Sequence, residues 1–127
     1  MKLVIDSSIL IDRLRGGDNW FEFLQTSDQE NILYIPTIVV FELYSGQSSG
    51  NPEEQKKIEN LITSMIRIDL SEKIAQRAGR IFRDITRKLD VSDYIIAASA
   101  LDIGGTVVTL NKKHFEQIPG LDLFDLP

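Results

Sequence analysis

The sequence predicts an α/β domain, with helices packed around a central, mostly parallel sheet of four to five strands. Short apolar runs recur along the chain at Leu3-Val4-Ile5, Ile32-Leu33-Tyr34-Ile35, Ile66-Arg67-Ile68 and Thr106-Val107-Val108-Thr109-Leu110. The segments between them carry helical spacing and stop at Gly or Pro, and this alternation is that of a parallel sheet with crossover helices. Three acids, Asp6, Glu42 and Asp93, stand against apolar segments, where a carboxylate is costly unless a partner meets it.

Taken in order, Leu3-Val4-Ile5 is a buried strand. Residues 7–15 follow with Ile9, Leu10, Ile11 and Leu14 at helical spacing, stopped by Gly16-Gly17. A second helix covers 18–25. Pro36 ends the strand 32–35, and Thr37 opens a helix that runs through Glu42 to Ser45 and closes at Gly46. The segment 47–52, Gln-Ser-Ser-Gly-Asn-Pro, is the clearest loop. It leads into a helix over 53–64, whose apolar face is Ile58, Leu61, Ile62 and Met65. The helices on either side of the loop are expected to pack as a hairpin. Strand 66–68 precedes a long helix from Ser71, with Ile74, Ala78, Ile81, Phe82, Ile85 and Leu89 inward. Another helix spans 92–103 with Ser92 as its cap, and Gly104-Gly105 ends it. Strand 106–110 leads to a short turn or helix at 111–115, and 121–124 suits a final edge strand.

The 127 residues fit a single domain, 1–127, large enough to bury a core. A hydrophobic fraction of 43% and a charged fraction of 26% are those of a globular protein. No apolar run approaches the roughly 20 residues of a spanning helix. The N-terminus lacks a signal-peptide pattern, and zero cysteines exclude zinc–thiolate sites and a cysteine nucleophile. A cytoplasmic location is expected. The net charge of −5 argues against whole-surface binding to nucleic acid. It leaves room for a metal-dependent nuclease, whose acidic ligands attract cations and, through them, phosphate.

Each acid has a structural explanation of its own. Asp6 precedes Ser7-Ser8 and a helix, a good capping sequence. Asp93 lies in a first helical turn, where negative charge suits the dipole, and Asp90 is a rival acid three residues earlier. Glu42 is the hardest to place, because its neighbours are apolar around nearly the whole helix; a buried ion pair is the alternative. Asn111 directly follows the fourth strand and suits a turn or cap, or its amide oxygen can ligate a metal or hold a water. Ser8 can cap or hydrogen-bond a carboxylate. The cheapest common explanation is convergence on a hard divalent cation at the carboxyl edge of the sheet, which suits phosphate chemistry. Asp6 and Asp93 are then the anchors, and Glu42 the third acid, ligating the ion or positioning a water. His114 is the only histidine, which excludes a two-histidine ribonuclease. With Lys112 and Lys113 it suits a surface turn. Arg77, Arg80, Arg83 and Arg87 fit a solvated helix face, and Arg13 and Arg15 are better placed to meet RNA or a partner.

Four segments together resemble the PIN-domain family, and within it the VapC-type toxins. They are Leu3-Val4-Ile5-Asp6-Ser7-Ser8-Ile9-Leu10-Ile11, residues 36–46 around Glu42, Asp93-Tyr94-Ile95-Ile96-Ala97-Ala98-Ser99-Ala100, and Val108-Thr109-Leu110-Asn111-Lys112-Lys113-His114-Phe115 followed by Ile118-Pro119-Gly120-Leu121. The resemblance implies a three-layer α/β/α fold and a Mg²⁺- or Mn²⁺-dependent endoribonuclease, the toxin of a type II toxin–antitoxin pair. Asp6, Glu42 and Asp93 match the family's acidic positions and Ser8 its small polar residue. Many members carry Asp where Asn111 stands, so binding of a second metal stays open. The resemblance also implies a homodimer and a small antitoxin, seated on the apolar and basic surface of the hairpin 37–64. A catalytically silent PIN-like module acting through protein or RNA binding is the alternative. A haloacid-dehalogenase-type phosphatase needs an acid at Ser8. A response-regulator receiver leaves Glu42 and Asp93 unexplained.

Overall fold

The computed structural model describes residues 1–127, the side chains of Gln47 and Ser48 excepted. Five parallel strands, β1 (Lys2–Ile5), β2 (Ile32–Pro36), β3 (Ile66–Ile68), β4 (Thr106–Val108) and β5 (Asp122–Leu123), form one sheet in the order β3-β2-β1-β4-β5. Seven helices flank it: α1 (Ser7–Leu14), α2 (Trp20–Thr26), α3 (Thr37–Ser45), α4 (Pro52–Thr63), α5 (Glu72–Asp84), α6 (Val91–Ile103) and α7 (Lys112–Phe115). From β1 the chain steps one way to β2 and β3, then crosses back to β4 and β5. Right-handed crossovers put α1 to α4 on one face and α5 to α7 on the other, as expected of a three-layer α/β/α fold.

The two central strands explain the unbroken apolar runs. Leu3, Val4, Ile5, Val107 and Val108 are wholly buried, as strands covered on both faces must be. Leu3 pairs with Leu33 on one side and Thr106 on the other. The chain reverses its direction of travel between β1 and β4, and their carboxyl ends therefore flank a crevice. At the opposite edge, Gly104 closes α6 in the left-handed conformation, φ 66°. Gly105 then passes so near Val4 that an added Cβ would sit 2.9 Å from its Cγ2.

Helices α3 and α4 touch, as the hairpin reading expects, with a 3-10 turn over Gln47–Gly50 in the connecting loop. The side chains of Gln47 and Ser48 lie outside the described residues. Four expectations need correction. The helix from Ser71 stops at Asp84; Ile85 is extended but still packs on the core with Leu89. The fourth strand ends at Val108, because Thr109 Oγ1 turns to accept the Asn111 N–H at 2.9 Å. Helix α6 is capped at Asp90, not Ser92. Helix α3, apolar nearly all round, is not buried all round: Phe41 is 67% exposed and Tyr44 39%.

Candidate active site

Asp6 follows β1 directly, and its backbone N–H continues the ladder to Val108 O at 3.0 Å. It occupies the N-cap position of α1 without making a side-chain cap bond, so capping does not account for it. Its side chain is buried and accepts two hydroxyls on one oxygen. Ser8 Oγ donates to Oδ2 at 2.8 Å and Thr109 Oγ1 at 2.7 Å. Ser8 Oγ in turn accepts the Leu110 N–H at 3.0 Å. These bonds tie the ends of β1 and β4 together and leave Oδ1 for another partner.

Glu42 comes from α3 and Asp93 from the first turn of α6, two helices that meet. No ion pair neutralises Glu42 among the described residues, so the buried-pair explanation fails. Its Oε1 is buried without a hydrogen bond. Burial, then the Asp6 charge, raise the Glu42 pKa; the Ser7 and Ser92 hydroxyls oppose the rise, and Asp93 adds to it. Burial and then Asp6 push Asp93 up to about 6, with Asp90 contributing and His114 opposing. The charge of Asp6 thus reaches both Glu42 and Asp93, and that of Asp93 reaches Glu42, across three elements. As they stand, no group of three or more His, Asp or Glu side chains is gathered tightly enough to hold an ion alone among the described residues. Mutually repelling carboxylates separate, and Mg²⁺ keeps several waters when bound. An orphaned buried oxygen on Glu42 and a half-committed Asp6 carboxylate fit such a hard, partly hydrated cation.

The remaining candidates divide. Ser8 joins the site. Asn111 is the N-cap of α7, but its side chain is exposed and makes no cap bond. His114 is more than a surface turn residue: its Nδ1 lies 3.5 Å from Asp93 Oδ2. Asp90 is exposed and acts on Asp93 through charge and through its carbonyl, which accepts the Asp93 N–H at 3.0 Å. Thr109, Ser7 and Ser92 escaped the sequence reading. Thr109 gave no signal in the sequence, because a Thr in a strand is ordinary; only the pairing of β1 with β4 brings its hydroxyl to Asp6.

A PIN-domain family model matches residues 3–121. Ribonuclease VapC19 of Mycobacterium tuberculosis is 30% identical over 125 residues, 95% of this chain and 97% of its own. Ribonuclease VapC2 of Rickettsia felis is 28% identical, covering 97% of this chain and 96% of its own. Among solved structures, VapBC2 from Rickettsia felis bound to a promoter DNA fragment superposes with a TM-score of 0.86 at 25% identity, covering both chains fully. DNA-bound VapBC from Salmonella typhimurium gives 0.79 at 25% identity, covering 98% of each. A match over nearly the whole chain, in sequence and in fold, places the chain in the PIN-domain family, among its VapC-type members.

Proposed function

We propose that residues 1–127 form a single catalytic domain, a Mg²⁺- or Mn²⁺-dependent endoribonuclease that is the toxin of a type II toxin–antitoxin pair. The observation that carries this reading is the buried, unpaired Oε1 of Glu42 beside an Asp6 carboxylate held by one oxygen only, with the Asp6 charge reaching both Glu42 and Asp93 and no Lys or Arg pairing with any of the three among the described residues. VapC-type relatives are named ribonucleases, and like charges drawn together without a protein cation suit a site completed by a metal.

Asp6 and Asp93 would hold the ion, each with one carboxylate oxygen already oriented by a neighbour. Glu42 supplies the third acid, its unpaired Oε1 ligating the ion or orienting the water. Bound there, the metal would neutralise the phosphate and activate water for in-line attack. Ser8 and Thr109 fix the Asp6 carboxylate. Asn111 faces solvent and supports through its amide at most.

The proposed partners are an RNA substrate, a small antitoxin and a second copy of the chain. Beside the hairpin, a largely apolar groove of about 350 Å³ lined by Thr37, Val40, Tyr44 and Ile62, with Glu59 and Arg67 as its one acid and one base, offers a surface an antitoxin segment would cover. Between α5 and α6, Leu70, Phe82 and Val91 expose apolar surface along a second groove of about 340 Å³, which a second copy would bury. No helix among the described residues is long and apolar enough to cross a membrane, and a cytoplasmic site of action follows from the proposed substrate.

The decisive test is cleavage of single-stranded RNA with added Mg²⁺ or Mn²⁺, with an EDTA control, by the native chain and by Asp6→Asn and Asp93→Asn. Metal-dependent cleavage lost in both variants, with unchanged circular dichroism, supports the reading. Binding of RNA without cleavage under any metal would favour the silent module.

A further inference from the structure

His114 lies beside the acids on an element that has its own reasons to stay put. Helix α7 is pinned by Phe115, which is 1% exposed. Lys112 is paired with Asp125 near the chain end. The His114 N–H bonds Asn111 O at 3.0 Å. The backbone that carries the imidazole is therefore fixed independently of the site. Its Nδ1 sits 3.5 Å from Asp93 Oδ2, and the ring is about half exposed, 49%, against 13% for the Asp93 side chain. Among the described residues this is the ion pair that Asp93 makes; Lys and Arg stay away from it. Asn111, three residues earlier, makes no side-chain cap bond.

We infer that His114 is a positioning residue for Asp93: by engaging Oδ2 it fixes the carboxylate and directs the other oxygen toward the divalent cation. This rests on the proposed metal site and adds a residue to it. The arrangement parallels what Ser8 and Thr109 do for Asp6, where one oxygen is held and the other left free. Partners that orient a ligating side chain are worth roughly 10- to 100-fold in metal affinity or activity. Charge alone predicts the opposite sign. Removing a ring that can carry positive charge from beside Asp93 would strengthen cation binding, so the direction of the change separates orientation from simple electrostatics.

The test is calorimetric titration of the full chain with Mn²⁺ alone, comparing the native protein with His114→Ala, His114→Asn and Asp93→Asn. Orientation predicts about tenfold weaker Mn²⁺ binding in His114→Ala and recovery in His114→Asn, whose amide N–H replaces Nδ1. RNA cleavage by His114→Ala should lose kcat at fixed Mn²⁺, regain it at high Mn²⁺ and keep its KM for RNA. Unchanged or tighter Mn²⁺ binding by His114→Ala, or a defect confined to KM, overturns the inference. If Asp93→Asn loses Mn²⁺ binding while His114→Ala does not, the metal site stands and only the role of His114 falls. If Asp93→Asn also binds normally, both fall.

Discussion

Thr109 donates its hydroxyl to Asp6 Oδ2 at 2.7 Å across 103 residues of chain. The same hydroxyl oxygen accepts the Asn111 N–H at 2.9 Å, so one side chain both orients the first acid and turns the chain out of β4.

Replacing Thr109 by Val keeps the shape and removes both bonds. Hydrogen bonds to a charged group contribute about 1.5–3 kcal/mol, and Thr109→Val should lower the unfolding free energy by that order in urea titrations at neutral pH. Cleavage should fall roughly 10- to 100-fold. Thr109→Ser should retain most of both. A native-like midpoint and rate for the Val variant would show that Ser8 alone holds Asp6.

Neutralising Glu42 should uncouple stability from activity. Its carboxylate is partly buried, repelled by Asp6 and Asp93, and carries an unpaired oxygen. Glu42→Gln should raise the metal-free unfolding free energy by an amount on the order of 1 kcal/mol, and with it the melting temperature, and abolish metal-dependent cleavage. A lower melting temperature in scanning calorimetry would mean that the ionised form is needed to hold α3 against α6.

The pH dependence of the metal-free protein follows from Asp93. Its pKa rises from 3.8 to about 6 on folding, so the folded chain binds its proton more tightly than the unfolded chain. Stability then falls as pH rises from roughly 4 to 6 and stays lower above that; the penalty is at most about 3 kcal/mol. Glu42 shifts in the same direction. Melting curves at a series of pH values should show this loss without metal and its relief by saturating Mg²⁺ near pH 7. Mg²⁺ should stabilise little below pH 5, where Asp93 is protonated. Equal stabilisation at both pH values would place the bound ion elsewhere.

The segment joining α5 to α6 supplies a fourth prediction. Tyr94, only 2% exposed, accepts the Leu89 N–H on its hydroxyl at 2.5 Å and meets Phe82 edge-on. Tyr94→Phe should cost about 1 kcal/mol and raise amide hydrogen exchange at residues 85–90, next to Asp93. Unchanged exchange there would show that the Lys88 contacts to the Phe82 and Ile85 carbonyls hold the segment alone.

That same segment shows where sequence legibility ended. Ile85 and Leu89 continue the apolar spacing of α5 and do pack on the core, but from extended backbone; burial alone fixes the pattern, and the Lys88 and Tyr94 bonds that stop the helix are nonlocal or side-chain events. The parallel sheet was readable because β1 and β4 are covered on both faces and so run apolar without interruption; the strand order was not, since no apolar run says which strand it will pair with. The acids were readable because each interrupts such a run. Thr109 was not, since a Thr in a strand is ordinary until β4 is seen beside Asp6. Phe41 and Tyr44 misled for the reverse reason: an apolar helix reads as buried all round, and these two face out.

The central place of β1 has a consequence during synthesis. Its first neighbour, β2, is made soon after it, but the strand that completes the site lies about a hundred residues downstream. At ribosomal speeds that interval lasts roughly 5 to 20 s. Throughout it the nascent chain lacks the hydroxyl that clamps its first acid, so the Asp6 carboxylate stays unoriented until β4 has been made.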